Sequence, residues 1–503
     1  MKLLTAEEMR QVDQRTIAAG TPGIVLMENA AQRVVEFLAH KFAPLNAQRI
    51  VVLCGKGNNG GDGMAVARQI RTRFPAAALR VALLADPEEL KGDAAANYRM
   101  LQACGCAVEH QIMPQARDAT LVIDALLGTG VSGPAAGRAL EGIREINDGF
   151  PRATVVAVDI PSGMNSDSGE PVGEIASADY TVTFTAPKVG QALPPNCDHV
   201  GELIVAPIGS PAELYAQAQL ELLDPAMFRG LLAPRQPSGH KGTYGHALIV
   251  AGSRGKTGAA AMCGMGALRA GAGLVTVASE EGALAAIGSH APELMTEPLE
   301  HFDRIAESMT VIAMGPGLGP NMHLVKGAAR RCTQPMVLDA DALVDGIHGE
   351  GRVRVLTPHP GEMARISGKS VAEIQKDRVR AAREFAMERG LTLVLKGQRT
   401  VIAFADGRAW INPTGTPAMG TGGTGDVLTG MIAGFLAQFP RQPDEAVAAA
   451  VYLHGLAGQI GARALGEKCL IATDILKYLP AAMKECSVEK CTTEECANLP
   501  DSV

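Results

Sequence analysis

Two glycine-rich loops, one in each half of the chain, constrain its fold more than any other feature. Asn58-Asn59-Gly60-Gly61-Asp62-Gly63 follows an apolar run at residues 51–54, and Gly420-Thr421-Gly422-Gly423-Thr424-Gly425-Asp426 leads into another at 427–432. Each loop opens a helix-like stretch, so its free backbone N–H groups can converge on an anion at a helix N-terminus. Two such loops imply two sites, each handling a phosphate-bearing ligand.

A chain of 503 residues exceeds what one core organises, and two domains of roughly 200 to 280 residues are expected. Over residues 207–245 the pattern lapses into Pro, Gly, Ala and Gln, which marks the boundary. Domains are therefore expected at 1–215 and 225–485, followed by a cysteine-bearing tail at 486–503. In the first half, β-rich runs at 50–54, 80–84, 121–125, 154–160 and 180–185 alternate with helix-length segments. That rhythm predicts an α/β fold with a Rossmann-like parallel sheet, its ligands lying beyond the carboxyl ends of the strands. Gly55, Asp124 and Asp159 each fall at such an end. In the second half, strands are expected at 246–251, 274–278, 311–314, 336–338, 393–396 and 400–405, with helices at 371–389, 424–437 and 444–460. Together they form a second α/β/α sandwich.

With 46 basic against 53 acidic side chains the net charge is −7, so there is no cationic excess to displace counterions from a nucleic acid. No run reaches the ~18 apolar residues of a membrane span, and Glu7 and Glu8 interrupt any signal-like segment near residue 1. The reading is a cytoplasmic protein with small-molecule partners, no nucleic acid and no membrane, assembling as a homo-oligomer. Cys54, Cys104, Cys106, Cys197, Cys263, Cys332 and Cys469 lack CxxC spacing and read as reduced core thiols. Cys486, Cys491 and Cys496 recur in a polar tail without a histidine to complete a metal site, so an exposed end is expected there.

In the second loop, Asp426 falls in the first helical turn. A carboxylate beside an anion hole is electrostatically odd unless it takes a proton, which suits a general base for a hydroxyl attacking a phosphoryl group. The plainer alternative is an aspartate that only caps its helix. This segment resembles the end of the ribokinase-like family, whose GxGD motif supplies such a base. Ala251-Gly252-Ser253 with Thr257-Gly258-Ala259, Gly315-Pro316-Gly317-Leu318-Gly319, Asp339-Ala340-Asp341-Ala342, Thr357-Pro358-His359-Pro360-Gly361-Glu362 and Lys396-Gly397 resemble one branch of it, the nucleotide-dependent NAD(P)HX dehydratases. The resemblance implies phosphorylation of a hydroxyl on a hydrated nicotinamide by ADP, or ATP in some relatives, then loss of phosphate to restore NADH or NADPH, with AMP as the nucleotide product. It places Lys396, Gly397, Gln398, Arg399, Thr400 and Gly425 at the nucleotide, and Ala259, Gly317, His359 and Asp426 at the hydrated cofactor. His359 could equally be a satisfied structural imidazole. Mg2+ is expected with the polyphosphate; Glu362 is a candidate ligand, although an acidic helix start explains it as well.

In the first loop, Gly55-Lys56-Gly57-Asn58-Asn59-Gly60 fits GxGxxG literally, which is a weak signal alone. The paired asparagines distinguish it, because their carbonyls, with Asp124 and Ser162, are hard oxygen donors for a cation. The loop, Asp124-Ala125-Leu126-Leu127-Gly128-Thr129-Gly130, Asp159-Ile160-Pro161-Ser162-Gly163 and Thr183-Phe184-Thr185-Ala186-Pro187-Lys188 resemble the NAD(P)HX epimerase family. That resemblance implies interconversion of the R and S hydrates. It assigns K+ to Asn59, Asp124 and Ser162. It assigns substrate to Asn58, Asn59, Gly60, Gly61, Asp62, Gly128, Thr129, Gly130, Val131, Ser132, Gly133, Pro134 and Asp159, with Asp159 as acid/base. Asp159 as a turn cap, and Lys188 as a plain surface lysine, are the structural alternatives. For the whole chain the alternative is a small-alcohol kinase of ribokinase-like type fused to a non-catalytic Rossmann-like binding domain.

Overall fold

The computed structural model describes residues 1–130 and 133–487; Val131, Ser132, Cys491 and Cys496 lie outside the described residues. The chain divides into two compact units, one ending at Glu221 and the next beginning at Leu222.

The first unit is built on β1 (Arg49–Cys54), β2 (Ala78–Leu83), β3 (Val108–Glu109), β4 (Leu121–Ala125), β5 (Thr154–Val158), β6 (Tyr180–Phe184) and β7 (Glu202–Ala206). They form one seven-stranded sheet in the order β3-β2-β1-β4-β5-β6-β7, parallel throughout. The central strands are nearly unbroken apolar runs because both faces are covered. Ile50, Val52 and Cys54 pack with Leu26, Val34, Met64 and Ile70 of the helices Gly23–Lys41 and Asn58–Arg73. Val51 and Leu53 pack on the other face with Ile143 and Phe150. Strand order reverses between β1 and β4, which opens a crevice at their carboxyl ends. A Cβ on Gly60 would lie 1.9 Å from the Gly55 carbonyl oxygen, so only glycine lets the helix start press against the end of β1.

The second sheet consists of β8 (Leu220–Leu222), at the division of the chain, with β9 (His246–Val250), β10 (Leu274–Ser279), β11 (Met295–Pro298), β12 (Val311–Met314), β13 (Met336–Leu338), β14 (Arg354–Leu356), β15 (Thr392–Leu395), β16 (Val401–Ala403) and β17 (Ala409–Ile411) of the second unit. The ten strands run β11-β10-β9-β12-β13-β14-β15-β16-β17-β8. Pairing is parallel from β11 to β15 and antiparallel through β16 and β17. One face packs under Thr257–Ala270, Thr424–Gln438, Pro443–Leu465 and Ala472–Ser487, while Arg378–Arg389 lies against β15 and β16. This is the mixed α/β sandwich the sequence predicts.

Several local expectations need correction. The strand expected at 154–160 stops at Val158, because Asp159 turns to a positive φ of 64°. The helix expected at 371–389 is two helices, Val371–Lys376 and Arg378–Arg389, with the Asp377 side chain accepting from the Arg380 N–H to cap the second. β3, β7, β8, β11, β14 and β17 were absent from the expected set. Cys486 is buried in the helix Ala472–Ser487 rather than in an exposed tail. Cys469 is exposed and Cys104, Cys106 and Cys332 are half-buried, so not all of the body thiols lie in the core.

Helices Thr257–Ala270 and Thr424–Gln438 touch backbone to backbone. A Cβ on Gly430 would sit 1.9 Å from the Cys263 carbonyl oxygen, and one on Gly434 would sit 2.5 Å from that of Ala267. Ala259 and Asp426 ride on the first turns of these two helices, so their close approach sets one end of the second site. Gly430→Ala should destabilise the second unit by about 1–3 kcal/mol through overpacking, read as a lower denaturation midpoint. An unchanged midpoint would show that the helices separate freely.

Candidate active sites

In the first unit, Gly57 starts the helix Asn58–Arg73 with no side chain capping its first amides. Thr5, Ser370 and His359 cap their helices with side chains, whereas others, such as Gly23–Lys41 and Thr257–Ala270, also start without one. The open amides at the end of β1 therefore remain available to an anion. They border a cavity of about 1230 Å3 that Asn58, Asn59, Asp62, Gly128, Asp159 and Lys188 help to line. Thr129, Gly130, Gly133 and Pro134 lie on the same wall; Gly60 and Gly61 are buried beneath it.

Asp124, Ser162 and Asn59 converge on the backbone of Leu126 and Leu127. Asp124 is fully buried; its Oδ1 accepts from Ser162 Oγ at 2.5 Å and its Oδ2 from the Ser162 N–H at 2.8 Å. Ser162 Oγ accepts from the Leu127 N–H at 2.9 Å, and Asn59 Nδ2 donates to the Leu127 carbonyl at 3.0 Å. Burial raises the Asp124 carboxyl, opposed by bonds from Ser162 and Leu126. Among the described residues no basic side chain forms an ion pair with it. A buried carboxylate with hard oxygens beside it and no cationic partner fits a hard monovalent ion.

Asp159 stands at the end of β5. Its Oδ1 accepts from Lys188 Nζ, from Thr183 Oγ1 at 3.1 Å and from the Phe184 N–H at 3.2 Å. Lys188 is completely buried, not a surface lysine, and also donates to Thr183 Oγ1 at 2.9 Å and the Phe184 carbonyl at 3.2 Å. Asp159 and Thr185 both hold positive φ, at 64° and 66°. Such backbone costs about 1–3 kcal/mol per residue and persists only where the surroundings enforce it.

In the second unit, Gly423 at φ 94° starts the helix Thr424–Gln438, again with no side-chain cap. Thr424 Oγ1 ties the loop by donating to the Met419 and Thr421 carbonyls, each at 3.1 Å. His454, from Pro443–Leu465, bonds through Nε2 to the Thr424 carbonyl at 2.9 Å. Burial depresses this imidazole to about 4, so it is neutral and its Nε2–H donates. Asp426 is pushed up to about 7, first by burial, then by Asp339, with Lys396 opposing and Glu362 adding. A carboxyl poised near neutrality is what a general base requires.

Lys396, just past β15, donates to buried Asp339 Oδ1 at 2.7 Å and lies 3.7 Å from Glu362. Thr429 Oγ1 donates to Asp339 Oδ2 at 2.7 Å. A Cβ on Gly425 would be 3.4 Å from Lys396 Nζ, which places the glycine loop against this pair. Gly317, at φ 63°, would meet Ala259 Cβ at 3.2 Å, so those two also adjoin. His359 caps the helix Pro360–Ser367 through Nδ1, accepting from the Gly361 N–H at 3.0 Å, and shares a capping box with Glu362. Its Nδ1 is thus engaged structurally while the ring stays largely exposed. Arg399 has φ 55° and donates to the Pro413 carbonyl at 3.3 Å; Thr400 Oγ1 donates to the Gly397 carbonyl at 3.0 Å. Beneath the 396–400 turn, Arg378 donates to the Leu395 and Lys396 carbonyls, both at 3.1 Å. Gly397 is needed there, since a Cβ would lie 2.7 Å from that guanidinium.

Thr429, Arg378 and His454 were not singled out from the sequence. Only the spacing of Thr429 after Asp426 carries a signal, since one helical turn puts both on one face.

The chain matches the family described as NAD(P)H-hydrate dehydratase over residues 247–481, and that described as YjeF-related protein N-terminus over 23–190. It is 42% identical over 527 residues to the bifunctional NAD(P)H-hydrate repair enzyme Nnr of Moorella thermoacetica, covering 97% of this chain and 98% of the relative. The chain belongs to the bifunctional NAD(P)H-hydrate repair enzyme family. The Escherichia coli member is 36% identical over 490 residues, covering 94% of this chain and 92% of its own. The crystal structure of the ADP/ATP-dependent NAD(P)H-hydrate dehydratase from Bacillus subtilis, co-crystallised with ATP and Mg2+, is 38% identical. It covers 53% of this chain and 98% of that chain, with a TM-score of 0.50. Matches that span both halves set aside the kinase joined to a non-catalytic domain. Among the described residues no helix is long and apolar enough to cross a membrane.

Asp426 offers a direct check of this electrostatic picture. Its carboxyl moves from 3.8 to about 7 on folding, so between those values the folded state holds the proton more tightly and stability falls as pH rises. Asp426→Asn should leave stability unchanged near pH 4 and raise it by on the order of 2 kcal/mol at pH 8, allowing for partial solvent screening. Parallel stability curves for the two proteins would contradict it.

Proposed function

We propose that the first unit interconverts the R and S forms of hydrated NADH and NADPH, and that the second dehydrates the S form using a nucleotide. The observation that carries this reading is that each unit pairs an uncapped helix start with a carboxyl and a lysine at the carboxyl edge of its sheet. An anion hole, a proton-transfer group and a fixed positive charge are the parts such chemistry requires.

In the second unit Asp426 takes the proton of the ring hydroxyl as that oxygen attacks the terminal phosphoryl group of ADP, releasing AMP. The phosphorylated oxygen then leaves as inorganic phosphate, electrons from the ring nitrogen assist, and loss of the adjacent proton restores the ring double bond. Lys396, Gly397, Gln398, Arg399, Thr400 and Gly425 hold the nucleotide, with the Thr424–Gln438 amides receiving the transferred phosphoryl group. Ala259, Gly317 and His359 border the hydrated ring. A Cβ on Gly317 would crowd Lys256 and Ala259, so glycine lets the backbone approach that wall closely. Magnesium supplies charge neutralisation to the polyphosphate. Among the described residues no three His, Cys, Asp or Glu side chains group as a metal site, and Lys396 already stands between Asp339 and Glu362. The residues therefore suit a magnesium ion that arrives on the phosphates rather than one held by a protein cage.

In the first unit Asp159 is the acid/base group at the ring, its place fixed by Lys188. Asn58, Asn59 and the glycine loop receive the substrate's phosphates. Asn59, Asp124 and Ser162 would hold K+, whose charge compensates the buried carboxylate and steadies the 126–128 turn. ADP as the preferred donor and assembly as a homo-oligomer belong to the same reading.

With purified protein and separated epimers, Asp426→Asn should lower nucleotide-dependent formation of NADH by about 100- to 10,000-fold while epimer exchange continues; Asp159→Asn should do the reverse. A stable phosphorylated hydrate in place of NADH would mark a kinase, and unchanged exchange in Asp159→Asn would refute its assignment. Replacing potassium by tetramethylammonium should slow exchange and lower the melting midpoint of the wild type but not of Asp124→Asn. Equal responses of the two proteins would remove the ion from that site.

A further inference from the structure

Asp13 lies on the first helix, Ala6–Ala18, and lines the same cavity as Asp159 and Lys188. One of its carboxylate oxygens, Oδ1, is buried with no hydrogen-bond partner. Leaving such an atom unsatisfied costs about 1–3 kcal/mol, and the helix has no use for it. Thr5 and Glu8 already close the helix start in a capping box, and Arg10 pairs with Glu7 on the exposed side. A costly polar group that supports no local structure and sits in a cavity points to a ligand.

The charged groups around it are Asp159, Lys188 and Asp62, the last on the helix Asn58–Arg73. Lys188 is committed to Asp159 by a direct ion pair. Three carboxyls therefore share one ammonium. Burial, with Asp159 adding and Lys188 opposing, pushes Asp13 up to about 6. Asp62 is raised well above its ordinary value by burial and by both other aspartates.

Inverting the hydroxyl-bearing carbon of a hydrated nicotinamide needs two proton-transfer groups, one on each side of the ring. On one side a carboxylic acid gives its proton to the ring hydroxyl; the C–O bond breaks, water leaves, and the ring nitrogen lone pair forms a C=N+ bond. On the other side water adds to that carbon as a carboxylate takes its proton, and the electron pair returns to nitrogen. Water is lost and regained, so atoms and charge balance. We propose that Asp13 is the second acid/base residue of the first unit, working opposite Asp159. The proposal rests on the epimerase reading of that unit. Each transfer leaves the proton on the other aspartate, which is the state required for the reverse conversion, and exchange with solvent resets the pair.

The test is epimer exchange in the full-length protein without nucleotide, followed by chromatography across pH 5 to 9, for wild type, Asp13→Asn and Asp13→Glu. Dehydration of the S epimer by the second unit calibrates the amount of folded protein. Exchange requires one proton on the pair, so the wild-type rate should fall as pH rises above about 6. Asp13→Asn should be slowed at least 100-fold and lose that limb, while Asp13→Glu should recover part of the rate and the limb with it. A wild-type profile without the limb, or Asp13→Asn exchanging at the wild-type rate, overturns the proposal. Wild-type protein that exchanges no faster than free solution overturns the epimerase reading itself, a different result from either.

Discussion

A buried or half-buried lysine bound to a carboxylate organises each half of this protein. Lys188 is withdrawn from water entirely and held by Asp159 and Thr183; Lys396 is held by Asp339, which is itself fixed by Thr429. Stripping an ammonium of water costs several kcal/mol, and only close, fully bonded partners return it. Residues around each pair are accordingly forced into place: Asp159 and Thr185 on one side, Ala340 and Arg399 on the other, all hold positive φ without being glycine. The strain lies beside the pairs, at the carboxyl ends of strands, where both folds leave room for a ligand.

Burial first, and the carboxylates of these pairs after it, raise the neighbouring acids. Asp426, close to Asp339 and Glu362 as well as to Lys396, lies near neutrality rather than in the acid range. Asp13 and Asp62 rise for the same reason around Asp159. Each helix start beside them is closed by a glycine rather than by a capping side chain. The first backbone amides, which have no partner within the helix, are thus left open to an anion. One physical scheme, repeated in two unrelated sheets, serves two steps on the same damaged cofactor: equilibrating its epimers, and removing water from one of them.

Much of this was legible in the residues. β4, β12 and β13 fall where apolar runs predict them, because a strand buried on both faces has no alternation to blur. Asp124, Asp159 and Asp426 were each placed at the strand or helix end where they stand. What escaped notice depends on distant pairings. β14 is three residues long and begins with Arg354, a charged side chain that is buried only because backbone carbonyls of the neighbouring segment surround it. Arg378 reads as an ordinary helix-surface arginine until the 396–400 turn folds over it. The break at Asp377 looked like continuous helix because its flanks share one apolar period. Asp13 carries no signal in the sequence, and only the cavity it shares with Asp159 and Lys188 draws attention to it.

The central claim is that the two sites act in series on one pool. The measurement that bears on it most directly is anaerobic incubation of the full-length protein with both epimers of hydrated NADH, ADP, magnesium and potassium, following near-ultraviolet absorbance of reduced nicotinamide and both epimers by chromatography. The account predicts that the R and S forms disappear together and that NADH recovery reaches the whole pool, with one AMP formed per NADH. Recovery that stops when the S form is exhausted, leaving R to decline only at its rate in free solution, would contradict it.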